Sequence, residues 1–332
     1  MGTGGGLNAE IYNAEIHVVG VDLSGLQHHN IDLGAIARRI GELGTAVSPS
    51  VLEASKAIYE PFHEREPYRD VRLTRDVAYG AHPRHRLDVF EPSDAPEGGP
   101  LQQRPVLLFF HGGGFVGGDK NHPGAPYNDN VALYAVRHGL VGVNVTYRLA
   151  PEAGWPAGAE DVAAALAWAR ANIAAHGGDA DQLYLMGTSA GAVHVASYLS
   201  HPEFHLPGGA GVAGAILASG AYDLTTFDPD RTAVYLGEDR ARLAERSSIR
   251  GLVDGEVPVL YVLAEFDPPA AERQALQLLN AYWERHGRWP RFLRLPGHNH
   301  FTVTLHLNTP DDAFGRQILA FIEPASDHAS PP

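Results

Sequence analysis

Two glycine-framed motifs could do chemistry: His111-Gly112-Gly113-Gly114-Phe115 and Gly187-Thr188-Ser189-Ala190-Gly191, each closing an apolar run. Successive glycines let neighbouring backbone N–H groups face a developing oxyanion with no side chain in the way. Gly113 and Gly114 are the expected donors, with the amide of Ala190 as a third. The second motif has the Gly-x-Ser-x-Gly form. Ser189 follows the run Leu183 to Met186 and precedes Ala192, Val193, Val195, Ala196 and Leu199, so it falls on a strand-turn-helix elbow, where the flanking glycines relieve crowding around an exposed serine. The pair of motifs predicts acyl transfer by an oxygen nucleophile.

Such a nucleophile needs a base and an acid to orient that base. Asp267 follows the apolar run Val259 to Leu263, with Glu265 as a rival two residues earlier. His300 follows the run Phe292 to Leu295, with His298 beside it and His306 further on, in a chain of 18 histidines. His298-x-His300 could present two imidazoles on one face of a strand, but no third ligand is suggested, and no metal site is expected. Gly112 to Gly117 also fits the Gly-x-Gly-x-x-Gly pattern of dinucleotide sites. That use requires a helix to open at once, whereas Gly118 to Gly124 reads on as loop.

With Tyr147-Arg148-Leu149-Ala150-Pro151, Ala264-Glu265-Phe266-Asp267-Pro268 and His300-Phe301 added to these motifs, residues 70 to 323 resemble a known group. It is the α/β-hydrolase superfamily, specifically the hormone-sensitive-lipase-like esterases and their relatives, the arylformamidases (kynurenine formamidases) and feruloyl-type esterases. The resemblance implies that the acid directly before proline, Asp267, and the histidine directly before phenylalanine, His300, join Ser189 in a triad. Glu265 is then left to support its loop. It also implies a shielded structural ion pair between Arg148 and Asp161. Thr188 and Asn299-His300-Phe301 lean toward the formamidase and feruloyl-esterase side, whereas Gly114-Phe115 departs from the formamidases, which usually replace the third glycine and follow it with tryptophan. The expected function is a serine hydrolase cleaving carboxylic esters of small or aromatic substrates through an acyl-enzyme. An arylformamidase is the alternative, and a non-catalytic hydrolase-fold receptor for small molecules is a further one. Phe115, Trp155 and Tyr222 are expected to bind substrate, with Phe227 and Tyr235 on neighbouring loops.

The elements that must position these residues read as α/β. Alternation at Val71, Leu73, Val77 and Tyr79, then Leu87 to Phe90, predicts an antiparallel pair. Beyond the Pro/Gly-rich loop from Pro92 to Pro100, continuous apolar strands alternate with helical segments. The strands are Val106–Phe110, Val141–Val145, Leu183–Met186, Ala215–Ala218, Val259–Leu263 and Phe292–Leu295. This is the pattern of a mostly parallel central sheet with helices on both faces. One helix carries Val162, Leu166, Ala169 and Ile173; another carries Ala275, Leu278, Leu279 and Tyr282 and stops at Gly287. A last helix is expected to start at Thr309-Pro310-Asp311-Asp312 and to bury Phe314, Ile318 and Phe321. Two amphipathic helices come first. One runs from Leu33 to a stop at Gly44, and the second starts at Ser48-Pro49 and carries Val51, Leu52, Ile58 and Phe62. They are expected either to cap the mouth of the catalytic domain or to pair subunits in a homodimer. The expected division is an N-terminal arm and helical cap over 1–68, the catalytic domain over 69–325 and a flexible tail over 326–332. The five-residue echo Asn8-Ala9-Glu10-Ile11 and Asn13-Ala14-Glu15-Ile16 is too short to signal a repeat architecture.

The 332 residues, 44% hydrophobic and 19% charged, suffice for a large core. A formal charge of −14 opposes binding to nucleic acid or to anionic membrane, so the expected partner is a small ester or activated amide. There is no cysteine, which excludes disulfides and thiolate nucleophiles. No apolar run approaches the roughly 18 to 20 residues of a membrane span, and the start lacks a basic-then-apolar leader. A cytoplasmic location is expected, and no cofactor.

Overall fold

The structure, a computed structural model, describes residues 31–93, 103–227 and 229–322. The arm and its five-residue echo, most of the Pro/Gly-rich loop and the 326–332 tail lie outside the described residues. Eight strands form one sheet: β1 (Val71–Ala78), β2 (Arg86–Pro92), β3 (Arg104–Phe110), β4 (Val141–Val145), β5 (Gly178–Thr188), β6 (Gly214–Ala218), β7 (Val259–Phe266) and β8 (Arg291–Asn299). Their spatial order is β1-β2-β4-β3-β5-β6-β7-β8. The pairs β1–β2 and β2–β4 are antiparallel and every other pair is parallel. The helices are α1 (Leu33–Leu43), α2 (Pro49–Tyr59), α3 (Asp129–Arg137), α4 (Ala157–Asn172), α5 (Ala190–Ser200), α6 (Pro229–Leu236), α7 (Leu243–Arg246), α8 (Ile249–Asp254), α9 (Pro269–His286), α10 (Thr302–Leu305) and α11 (Gly315–Ile322).

Successive side chains of a strand point to opposite faces, so a sheet covered on both sides needs apolar residues at every position. β3 shows how that requirement divides the core. Val106, Leu108 and Phe110 face one way and pack with Val162, Leu166 and Ala169 of α4 and Val195 and Ala196 of α5. Leu107 and Phe109 face the other way, with Val131 and Tyr134 of α3 and Ile318 and Phe321 of α11. The helix α3 is packed on both sides, and residues 129 to 136 are all buried.

The N-terminal helices form where the sequence places them. Gly44 follows α1 at φ +72°, and the Ser48 hydroxyl accepts the Val51 amide at 3.4 Å across the first turn of α2. Ile40, Ile58 and Tyr59 pack with Tyr127, Leu305, Phe266 and Phe301. Their apolar faces are thus spent on the segments flanking Asp267 and His300.

The last helix starts later than expected. Thr309 and Asp311 do not open it; α11 begins at Gly315. The two acids are drawn to buried hydroxyls instead, Asp311 accepting from Tyr59 at 2.8 Å and Asp312 from Tyr134 at 3.0 Å. Thr309 accepts the Asp311 amide at 3.2 Å in a local turn.

Ile40 is fully buried, so Ile40→Ala should cost about 2–5 kcal/mol through lost burial and the residual cavity. Thermal or urea denaturation should show that loss, and a variant as stable as the parent would mean that α1 is not docked as described.

Candidate active site

Ser189 stands between β5 and α5 at φ 53° and ψ −118°, a backbone region that costs a non-glycine residue about 1–3 kcal/mol unless its surroundings enforce it. Two features enforce it. The Ser189 amide donates to the Ala218 carbonyl at 2.9 Å, and α5 begins hard against the end of β3. A Cβ at Gly191 would stand 2.1 Å from the Phe110 carbonyl oxygen, so only glycine permits that approach. The serine is left partly exposed at the carboxyl edge of the parallel strands.

His300 comes from the turn after β8 and Asp267 from the turn after β7. His300 Nε2 lies 3.0 Å from Ser189 Oγ, and His300 Nδ1 lies 2.7 Å from Asp267 Oδ1. The expected three side chains, 111 and 33 residues apart in sequence, thus form one hydrogen-bonded chain. Asp267 is buried, and its second oxygen is also satisfied. Oδ2 accepts from Ser219 Oγ at 2.6 Å and from the Ala264 amide at 2.8 Å. A carboxylate so held is fixed in place, with its other oxygen facing the imidazole.

Two of these supports were not read from the sequence. Ser219 directly follows β6, and a polar residue at the carboxyl end of a parallel strand is a signal that could have found it. Asn299, noted only as part of a motif, accepts the amides of Phe301 and Thr302, both at 3.0 Å, and donates to Ser55 Oγ on α2 at 3.0 Å. It fixes the turn that carries His300 to the N-terminal helices.

The glycine loop passes beside the serine; a Cβ at Gly112 would meet Ser189 Cβ at 3.3 Å. Gly113 has φ +137°, and its carbonyl accepts the Gly117 amide at 3.0 Å, which curls the loop back on itself. A Cβ at 113 would stand 2.0 Å from the Gly117 carbonyl oxygen. Among the described residues, the amides of Gly113 and Gly114 donate to no backbone carbonyl. Ala190, the first residue of α5, has an amide with no partner inside the helix.

Phe115, at φ +69°, turns its ring down onto Tyr235 with centroids 4.4 Å apart and planes at 2°. It packs there with Ala190, Val193, Trp155 and Phe227. Trp155 also meets Phe204 edge-on and lies under the Arg246 guanidinium at 5.1 Å. Tyr222 does not join this group. Its ring lies in the main core against Tyr261, and its hydroxyl reaches toward the Leu217 carbonyl at 3.4 Å. The aromatic residue expected on the pocket wall is therefore a packing residue, because the chain after β6 turns it back over the sheet.

The rivals are occupied elsewhere. Glu265 accepts the Gly297 amide at 2.7 Å, bracing β7 to β8. His298 points away from His300 and meets His306, ring centroids 4.1 Å apart. The Arg148–Asp161 pair forms, with Arg148 Nε and its own amide each 2.7 Å from an Asp161 oxygen. Behind the glycine loop, His111 and His194 flank the Tyr147 ring, each with centroids 4.4 Å from it. Burial pushes His111 down to about 4, against a smaller upward effect of the Gly112 carbonyl. Burial, aided by His111, pushes His194 down to about 3.

An elbow serine, a histidine and a carboxylate thus converge at the carboxyl edge of a mostly parallel sheet on an α/β scaffold. The family described as alpha/beta hydrolase fold matches residues 107–300, and the chain belongs to it. Among relatives, Esterase LipC of Mycobacterium tuberculosis is 35% identical over 159 residues, 46% of this chain and 36% of the relative. Esterase LipQ of the same organism is 30% identical over 222 residues, 61% of this chain and 51% of the relative. The matched region spans about half the length, or less, of these curated relatives. A solved structure of Esterase B from Lactobacillus rhamnosis superposes with TM-score 0.64 at 19% identity, covering 87% of this chain and 95% of its own. A truncated carbohydrate esterase from gut microbiota gives TM-score 0.64 at 18% identity, over 78% of this chain and 99% of its own. At these identities the structures speak to fold. Among the described residues, no helix is long and apolar enough to cross a membrane.

Ser219→Ala removes one of the two donors on Asp267 Oδ2. Hydrogen bonds to charged groups contribute about 1.5–3 kcal/mol, so kcat should fall roughly ten- to a hundredfold with KM little changed; unchanged kcat would dismiss Ser219 as a support. The two buried imidazoles set a second expectation. Unfolded chains protonate them near 6.5 but the folded protein only near 4 and 3, so the unfolded state binds more protons in between. Stability should be flat above about pH 6.5 and fall on acidification, by up to about 1.4 kcal/mol per pH unit for each histidine. Denaturation midpoints from pH 8 to 5 test this, and His194→Gln should reduce the slope. A midpoint constant down to pH 5 would contradict it.

Proposed function

We propose that the chain hydrolyses carboxylic esters of small or aromatic substrates through an acyl-enzyme on Ser189. The observation that carries this reading is the continuous contact from Asp267 through His300 to Ser189, beside amides that donate to no backbone carbonyl among the described residues. His300 Nε2 takes the hydroxyl proton as Ser189 Oγ attacks the ester carbonyl, and Asp267 stabilises the imidazolium that results. The amides of Gly113, Gly114 and Ala190 hold the tetrahedral oxyanion; each such donor typically contributes about 2.7–4 kcal/mol to lowering the barrier. The imidazolium returns its proton to the departing alcohol. Water, deprotonated by His300, then attacks the acyl-enzyme, and the acid leaves as Ser189 regains its proton.

Phe115, Trp155 and Phe227 form the proposed apolar wall, packed with Ala190 and Val193 at the start of α5. α1 and α2 are proposed to close the side of the site next to His300. The ester preference rests on the mechanism and on relatives whose names are esterases; the same side chains would also cleave an activated amide such as an N-formyl aromatic amine.

Ser189→Ala should lower kcat/KM for p-nitrophenyl acetate by about a thousandfold or more, and a variant with parental activity would overturn the proposal. Comparing kcat/KM for short aryl esters and N-formylkynurenine should favour the esters. A clear formamide preference would reassign the bond cleaved.

A further inference from the structure

Behind the catalytic turn, facing away from Ser189, lies a second cluster of chemistry-bearing groups: His298 at the end of β8, His306 just after α10 and Asp311 in the turn before α11. One donor atom from each lies within 4.8 Å of the other two. Both histidines are buried, and the Asp311 side chain is 12% exposed. Asp311 has no lysine or arginine partner among the described residues; the nearby Arg316 pairs with Asp312. Its oxygens meet the Tyr59 hydroxyl at 2.8 Å, His298 Nε2 at 3.5 Å and the Ala313 amide at 3.5 Å.

Hydrogen bonding within this cluster is incomplete. His306 Nδ1 lies 2.6 Å from the Thr302 carbonyl, so it carries the proton and leaves Nε2 as the acceptor nitrogen. The Phe314 amide reaches that nitrogen only at 3.4 Å. His298 makes a long 3.5 Å contact through Nε2, and its buried Nδ1 has no partner among the described residues. Buried polar atoms are normally satisfied, and two imidazoles beside a carboxylate with no cation is a costly arrangement unless something supplies positive charge.

We infer that His298, His306 and Asp311 form a binding site for one divalent transition-metal ion, best suited to zinc, which braces the turn carrying His300. Two imidazoles and a carboxylate are a borderline donor set of the kind zinc takes, whereas magnesium and calcium prefer all-oxygen sites. Ligand atoms around four-coordinate zinc lie roughly 3.3 Å apart, so a cluster whose donors lie within 4.8 Å of one another must contract by up to about 1.5 Å. The supporting contacts of such sites are also in place. The Thr302 carbonyl fixes the His306 tautomer, and the Tyr59 hydroxyl donates to the Asp311 carboxylate and orients it. A water would complete the coordination. The ion would tie together β8, the end of α10, the turn before α11 and, through Tyr59, α2. This pairing is not the His298-x-His300 pair of the sequence, whose second member belongs to the triad. It does not depend on the proposed reaction.

The test is cobalt and zinc titration of the purified full chain after chelator treatment. Expected are one equivalent of Co²⁺ bound, visible d–d absorption of a four- or five-coordinate ion, displacement by Zn²⁺, and a higher melting temperature with saturating zinc. Asp311→Asn and His306→Gln should each weaken Co²⁺ binding about a hundredfold or more, with far-UV circular dichroism confirming folding. Should either variant fail to fold, X-ray absorption on the cobalt-loaded parent decides, because the site requires two imidazoles on the ion. Absence of uptake at millimolar metal, uptake unaffected by both substitutions, or a spectrum with fewer than two imidazoles would overturn the inference.

Discussion

The hydrogen bond between the Asp267 carboxylate and His300 Nδ1, 2.7 Å long and buried on the acid's side, is the contact around which the carboxyl edge is arranged. It needs two turns from adjacent strands to meet at hydrogen-bond distance, which parallel pairing of β7 and β8 provides by ending both strands at the same edge. It also needs the carboxylate held so that one oxygen faces the imidazole. Ser219 and the Ala264 amide do this from β6 and β7. The imidazole in turn needs a fixed turn, and Asn299 supplies it by bonding the amides of Phe301 and Thr302. The far end of this hydrogen-bonded chain, Ser189 Oγ, is then placed by the elbow geometry after β5.

Most of the long-range order serves to hold that edge still. The two faces of the sheet are packed by different helices, and the N-terminal helices bury Ile40, Ile58 and Tyr59 against residues flanking the acid and the base. The Asn299–Ser55 and Tyr59–Asp311 bonds join chain segments 244 and 252 residues apart. Such contacts explain why α1 and α2 fold with the sheet although neither supplies a reactive group. Buried neutral imidazoles behind the glycine loop add a different constraint, favouring the folded state only while they remain unprotonated.

The strands and the convergence of Ser189, Asp267 and His300 were legible because their signals are local. An apolar run followed by Gly-x-Ser-x-Gly implies an elbow whatever the rest of the chain does, and Asp267 and His300 each follow such a run. What stayed illegible depends on distant partners. Thr309 to Asp312 resembles a helix start until Tyr59 and Tyr134 claim the acids. Tyr222 looked like a pocket residue because it follows a strand, but its ring packs in the main core against Tyr261 of β7. Ser219 carried a usable signal, its place at the end of β6, while the joining of Asn299 to Ser55 carried none that a linear reading could weigh.

The central claim is that Ser189 is the activated nucleophile and that His300 activates it. Peptide mass spectrometry after brief exposure to a fluorophosphonate tests both at once. The account predicts a single adduct on Ser189 in the folded parent and its loss, over the same exposure, in folded His300→Ala. No adduct on Ser189, or equal labelling in the two proteins, would contradict it.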